Sequence, residues 1–170
     1  FELRLLGVEI DRDVIGEPNP ATFMTVDFFE HETQATAVVT GSDVEIEQTL
    51  QYIVKVDDFF LEYLDTKRLP VELNKSLGLD FATIGVAHIQ LAKVLDDMQL
   101  GHTAKDPSVH FCDVVGRNGD IIARVRYSAF LRKSVMPQLR AYKAMAKLQG
   151  LRGSYAGQPG GDDGSDSEED

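Results

Sequence analysis

From Ile121 to Arg132 the chain alternates without a break. Ile121, Ala123, Val125, Tyr127, Ala129 and Leu131 take one face, and Ile122, Arg124, Arg126, Ser128, Phe130 and Arg132 the other. A period of two marks a strand with one buried face, and the pattern recurs at short spacing along the chain. Thr22 to Phe29 puts Met24, Val26 and Phe28 on one side. Gln34 to Thr40 reads as a strand with Ala35, Ala37 and Val39 inward, and Thr49 to Val56 as one with Leu50, Tyr52, Val54 and Val56 inward. His110 to Val115 adds a further strand. Repeated short strands separated by turn residues argue for an all-β, antiparallel sandwich.

The first strand slips phase: Phe1, Leu3 and Leu5 mark one face, then Leu6, Val8 and Ile10 the other. A bulge near Gly7 accounts for the slip. Glu17-Pro18-Asn19-Pro20 is a turn, and Arg117-Asn118-Gly119-Asp120 another, with Gly119 at a position that admits positive φ. Asp57 is placed to cap a helix carrying Phe60, Leu61 and Leu64 at helical spacing. Ala92 to Asp97 reads as a short turn. Ser134 can cap a C-terminal helix with Pro137 in its first turn, Val135, Leu139, Tyr142 and Ala146 on one face, and Gly150 as its stop. The expected divisions are a sandwich over 1–133, the helix over 134–150 and an acidic tail over 151–170 with too little apolar surface to fold.

A chain of 170 residues is long enough to bury roughly two thirds of its unfolded surface without disulfides. The lone Cys112 can form none within the chain, which fits a reducing, intracellular compartment. No apolar run approaches the ~18 residues that cross a bilayer. Phe1 is not Met, and the expectation is a segment of a longer protein with no signal peptide before it. The net charge is -11. One arginine against six acids after Gly150 puts -5 of that in the tail and leaves -6 on the body. Such a body repels phosphate backbones, so nucleic acid is not an expected partner.

The run Leu69-Pro70-Val71-Glu72-Leu73, a loop from Asn74 to Asp80, then Ile84-Gly85 and Ile89-Gln90-Leu91 resembles the central signature of a C2 domain, and the order of elements is similar to its type II topology. The resemblance implies an eight-stranded antiparallel β-sandwich with a short inserted helix and a C-terminal α-helix. Pro20 to Phe29, Gln34-Ala35-Thr36, Val38-Val39 and above all Gln51 to Leu64 resemble the first C2 domain of the retinitis pigmentosa GTPase regulator-interacting protein family. So do Gly116 to Asp120 and the terminal helix with Arg140-Ala141-Tyr142 and Ala144-Met145-Ala146. This likeness, over Phe1 to Gly150, implies a non-enzymatic scaffold at the cilium base, in the transition zone, cytoskeleton-associated, with nephrocystin-class protein partners.

Calcium takes six to eight oxygens, usually from several carboxylates on facing loops. Here the first loop offers Asp11, Asp13 and Glu17 with Asn19, and the facing loop only Asp80 beside Asn74 and Ser76. The expectation is a degenerate site, no metal and no cofactor. His110 and Cys112 share a strand face near His102, but zinc needs three or four ligands in a closed set, and His31 and His88 stand alone. No Gly-x-Ser-x-Gly or phosphate-binding glycine loop is present, and Asp57-Asp58 and Asp96-Asp97 fit helix ends rather than a catalytic dyad. The expected function is calcium-independent protein binding. The alternative is calcium-independent attachment to phosphoinositide membrane, which the acidic body disfavours. Arg124, Arg126, Arg132 and Phe130 form a basic, partly apolar stripe that could dock an acidic segment, unless acids on neighbouring strands or the terminal helix cover it. Ser165 and Ser167, set among acids, are the phosphorylation candidates.

Overall fold

A computed structural model describes the chain through Tyr155. Phe1–Met136 is one compact unit, and a second begins at Pro137. The first unit is an antiparallel sheet of nine strands: β1 (Glu2–Ile10), β2 (Ala21–Val26), β3 (Gln34–Ala35), β4 (Val39–Thr40), β5 (Asp43–Gln51), β6 (Arg68–Ser76), β7 (Phe81–Gln90), β8 (His110–Gly116) and β9 (Ile121–Phe130). Their order is β3-β2-β6-β7-β8-β9-β1-β5, with β4 beside β2. Three helices interrupt the strands: α1 (Arg12–Ile15), α2 (Asp58–Thr66) and α3 (Ala92–Gln99). The second unit carries α4 (Met136–Tyr155).

The sheet curls until its two ends face each other, so that it is nearly a barrel. Glutamine side chains rather than a backbone ladder close the seam. Gln48 Oε1 accepts from the Ala37 N–H at 3.0 Å while its Nε2 donates to the Ala35 carbonyl at 3.5 Å, and Gln34 Nε2 donates to the Gln51 carbonyl at 3.3 Å. A carboxamide has the donor and acceptor of a peptide group, so Gln48 stands in for a strand at an edge that would otherwise invite pairing.

The core fills the curl. Leu3, Leu5, Met24, Val26, Leu69, Val71, Leu73, Ala87, Ile89 and Val125 are buried. The register of β1 against both β5 and β9 shifts between Leu5 and Gly7, which is the bulge that the phase slip requires. On β5 the same irregularity leaves Glu47 at φ 50°. Gly85 has no room for a side chain: a Cβ there would sit 2.8 Å from both Ile122 Cδ1 and Val114 Cγ1. Asp57 caps α2 by accepting from the Phe60 N–H at 3.0 Å, and Phe60, Leu61 and Leu64 are buried as their spacing requires.

Several local expectations are corrected. The 34–40 strand splits in two, and its first half faces the other way, while Val39 stays half-buried between exposed Val38 and Thr40. Thr36 turns inward because its N–H bonds to the Met24 carbonyl and its Oγ1 accepts from the Met24 N–H, leaving Ala35 and Ala37 outside. β5 starts earlier and stops at Gln51, so Ile53 to Val56 belong to no ladder. A register shift between Val114 and Val115 turns Ile121 outward and Ile122 inward, whereas Ala123, Val125, Tyr127 and Ala129 keep the inward phase. Ala92 onward is a full helix, α3. Gly150 does not take positive φ, and α4 runs through it to Tyr155 instead of ending. The tail beyond Tyr155, including Ser165 and Ser167, lies outside the described residues.

Burial raises the phenol pKa of three tyrosines above the usual value near 10: Tyr52 to about 12, with Asp27 adding to it, and Tyr63 and Tyr127 in the same direction. Below pH 10 these phenols are protonated in both folded and unfolded chains, and their full contribution is present. As pH rises, the unfolded chain ionises first, so stability falls, for Tyr52 until the native phenol ionises near pH 12. Alkaline titration should therefore show tyrosinate absorbance lagging free tyrosine and then rising together with loss of the far-ultraviolet signal. Early ionisation of every tyrosine in a still-folded chain would contradict this burial.

Candidate functional site

At the loop end, three of the four candidate acids are committed, and the fourth, Asp13, is exposed in the first turn of α1. Asp11 is the N-cap of α1, accepting from the Asp13 and Val14 N–H groups at 3.0 and 3.4 Å. Glu17 reaches Lys75 Nζ at 2.5 Å. Asp80 accepts from the Phe81 N–H at 2.7 Å. Asn74 is fully buried within a hydrogen-bond relay that crosses three strands. Thr83 Oγ1 donates to Asn74 Oδ1 at 2.8 Å, Asn74 Nδ2 donates to Thr25 Oγ1 at 3.1 Å, and Thr25 Oγ1 donates to Glu72 Oε2 at 3.1 Å. An amide suits this place because it donates and accepts at once, which a carboxylate cannot do. Among the described residues no three His, Cys, Asp or Glu side chains are grouped to hold a metal ion. The same end carries apolar surface: Leu77, Leu79 and Phe81 are exposed on the β6–β7 turn, and Phe23 meets the Phe81 ring edge-on at 5.3 Å.

The arginine stripe is engaged within the domain. Arg124 Nε pairs with Asp113 on β8 at 3.3 Å, Arg126 with Glu45 on β5, and Arg132 with Glu2 on β1. The hydrogen bond from Arg126 to Glu45 raises the guanidinium pKa above its ordinary value, with the carboxylate charge adding to it. Glu2 is itself buried, takes a further hydrogen bond from Gln51 Nε2 at 3.1 Å, and lies 3.8 Å from Arg4. Phe130 is buried rather than presented, with the Arg4 guanidinium 4.7 Å above its ring. Sequence reasoning found the arginines and missed the carboxylates. Alternation along β8 could have placed Asp113 opposite Arg124; nothing local to β9 points to Glu45 or Glu2, which arrive through long-range pairing. The exposed surface beside these pairs is apolar, with Phe111, Val115 and Ile121 about half exposed.

The histidine and cysteine candidates separate. His110 Nε2 lies 2.6 Å from Asp97 Oδ2 and so ties β8 to α3. Cys112 is half-buried on β8, and burial pushes its thiol pKa up, away from the reactive thiolate.

Known proteins share both this sequence pattern and this fold. The sequence model described as the first C2 domain of RPGR-interacting protein 1 matches residues 1–134. X-linked retinitis pigmentosa GTPase regulator-interacting protein 1 of Bos taurus is 27% identical over 134 residues, and that of Homo sapiens 25%, each match covering 79% of this chain. The chain spans about 10% of the length of these curated relatives. Among solved structures, the chain described under "CC2D1B coordinates ESRCT-III activity during the mitotic reformation of the nuclear envelope" superposes with a TM-score of 0.62 at 12% identity, covering 83% of this chain and 59% of that one. A C2 domain-containing protein from a putative elicitor-responsive gene gives 0.55 at 14% identity, covering 79% and 89%. The curled antiparallel sheet, the Ile-Gly close approach at Gly85 and the match over 134 residues agree, and this chain belongs to the family of first C2 domains of RPGR-interacting protein 1.

Proposed function

We propose that this C2 domain is a non-catalytic, calcium-independent protein-interaction module of a scaffold at the ciliary transition zone, with nephrocystin-class proteins among its partners. The observation that carries the reading is the relay through Asn74. A position facing the loop end is filled by a buried amide committed to Thr25 and Thr83, and of the nearby acids Asp11 caps α1, Glu17 pairs with Lys75 and Asp80 accepts from the Phe81 N–H. With no carboxylate cage among the described residues, recognition is assigned to side chains on the exterior. The relatives' names, which describe proteins that interact with a GTPase regulator, support the same class of function. Proximity labelling in ciliated cells, using the parent protein with and without this segment, tests it. The expected result is loss of a set of transition-zone proteins when the segment is removed; an unchanged set would overturn the reading.

The exposed tip Leu77, Leu79 and Phe81 favours a second reading, calcium-independent contact with phosphoinositide membrane. Sedimentation with phosphoinositide liposomes separates the two, and the protein-binding reading expects the chain to stay in the supernatant. No helix among the described residues is long and apolar enough to cross a membrane.

The paired arginines remain a candidate docking face only if a partner's acids exchange with Asp113 and Glu45. Reversing Arg124 and Arg126 to Glu together should leave a folded chain, because exposed ion pairs contribute little. Partner binding should weaken if that exchange occurs; binding unchanged in the doubly reversed chain removes the face from consideration.

A further inference from the structure

Past the seam, the main-chain groups of Val54 to Val56 have no partner among the described residues. From Ile53 to Val56 exposure still alternates with a strand's period: Ile53 and Lys55 are exposed, Val54 and Val56 half-buried. The N–H and C=O groups of Val54, Lys55 and Val56 make no hydrogen bond to any described residue, and the Ile53 carbonyl meets only His31 Nε2, at 2.8 Å. The protein blunts the neighbouring edge with Gln34 and Gln48 and leaves this stretch open. Open strand-like backbone beside a pocket is the arrangement by which extended peptides are bound: main-chain pairing supplies affinity, and pockets for alternate side chains supply selectivity.

The pocket is present. A groove of about 400 Å³ runs between the turn Phe29-Glu30-His31 and the segment from Ile53 to Phe59. Its rim carries Ile53, 95% exposed, and Phe59, 64% exposed, although each is large and apolar. Its wall is Phe29, held at φ 47°, a conformation that a bulky residue rarely adopts. That backbone is fixed by the Phe29 N–H donating to Tyr63 Oη at 3.2 Å and by ring contacts to Tyr63 and Phe60 at 4.8 and 5.5 Å. The wall is therefore preformed. The groove is also acidic: Glu30 and Asp57 line it, the one lysine, Lys55, lies 3.9 Å from Asp57, and the surrounding body is negative.

We propose that this groove docks an extended segment of a partner protein. The segment pairs its backbone with Val54 to Val56, seats an aromatic or branched side chain against Phe29, Ile53 and Phe59, and places lysine or arginine opposite Glu30 and Asp57. The proposal rests on the protein-interaction reading and gives it a site and a ligand chemistry.

The test is selection of a displayed random-peptide library on the full 170-residue chain, followed by titration of a selected peptide. Selected sequences are expected to alternate apolar residues and to be basic. Ile53→Glu and Phe59→Ser, both at exposed positions, should each weaken the peptide by about tenfold or more while leaving thermal unfolding unchanged. In ¹⁵N spectra the shifts should fall on residues 29–31 and 53–59. The Val54 to Val56 amides, exchanging freely in the unbound chain, should become protected. Peptides whose shifts fall on β8 and β9, with affinity indifferent to Ile53→Glu, would overturn the groove and leave the protein-interaction reading standing. So would a library that selects no peptide while removal of the segment still strips partners in cells. Self-association through residues 53–59, or liposome binding lost on Ile53→Glu, would also overturn it by supplying a different occupant.

Discussion

Replacing Phe28 by Ala is expected to cost about 3–5 kcal/mol, a third or more of the stability of an ordinary domain. Phe28 is fully buried at the centre of the aromatic cluster. Its ring stacks on Phe1 at 4.2 Å, lies against Tyr52 at 4.6 Å, and meets Tyr63 and Phe60 edge-on at 5.6 and 6.3 Å. Truncation removes the transfer free energy of the ring and opens a cavity among side chains held by β1, α2 and the turn after β2, which have little freedom to collapse. Urea unfolding should show a lower midpoint with an unchanged slope. Phe59→Ala is the control, because a ring 64% exposed costs within roughly 0.5 kcal/mol. Equal effects at the two positions would mean that the cluster is arranged differently.

Asn74→Asp should be the more informative substitution, because it restores the residue type on which a calcium loop depends. A loss of roughly 2–4 kcal/mol at neutral pH is expected, with no metal binding in return. The new carboxylate would be buried, would keep the Thr83 hydroxyl as a donor, would lack the N–H that now bonds to Thr25, and would share Thr25 with the Glu72 carboxylate. Burial raises the folded pKa of such a group, so its neutral form is favoured below the unfolded value, and the penalty grows as pH rises through the folded value. The variant should therefore recover part of its stability towards acid. A gain in stability on adding millimolar calcium would show instead that Asp11, Asp13 or Asp80 can converge on this point.

Much of the architecture was legible because it depends on short-range periodicity. Met24, Val26 and Phe28 alternate and are buried; Asp57 with Phe60, Leu61 and Leu64 spells a capped helix; the phase slip near Gly7 appears as a bulge; Gly119 takes φ 84° in its turn. Misreadings arose where a long-range partner chose between two local options. Thr36 faces inward because Met24 supplies a donor and an acceptor for it, a pairing across strands that apolarity alone ranks below Ala35 and Ala37. Ile121 and Ile122 exchange faces because β9 carries an extra residue, Ile122, against Val114 and Val115 of β8. Val54 and Val56 continue an apolar alternation with no strand beside them. That failure marks the proposed groove: a stretch with strand periodicity and no strand partner among the described residues. The arginine stripe was legible as a pattern but not as a surface, since Glu45 and Glu2 lie far away in sequence.

The most direct measurement is capture of transition-zone proteins by the immobilised chain from ciliated-cell extract, run in parallel with millimolar calcium and with chelator, and with anionic liposomes as competitor. A calcium-independent protein-binding domain should capture the same proteins with and without calcium, undiminished by liposomes. Capture that disappears with the chelator, or a chain that gathers no protein and moves to the liposomes, would contradict it.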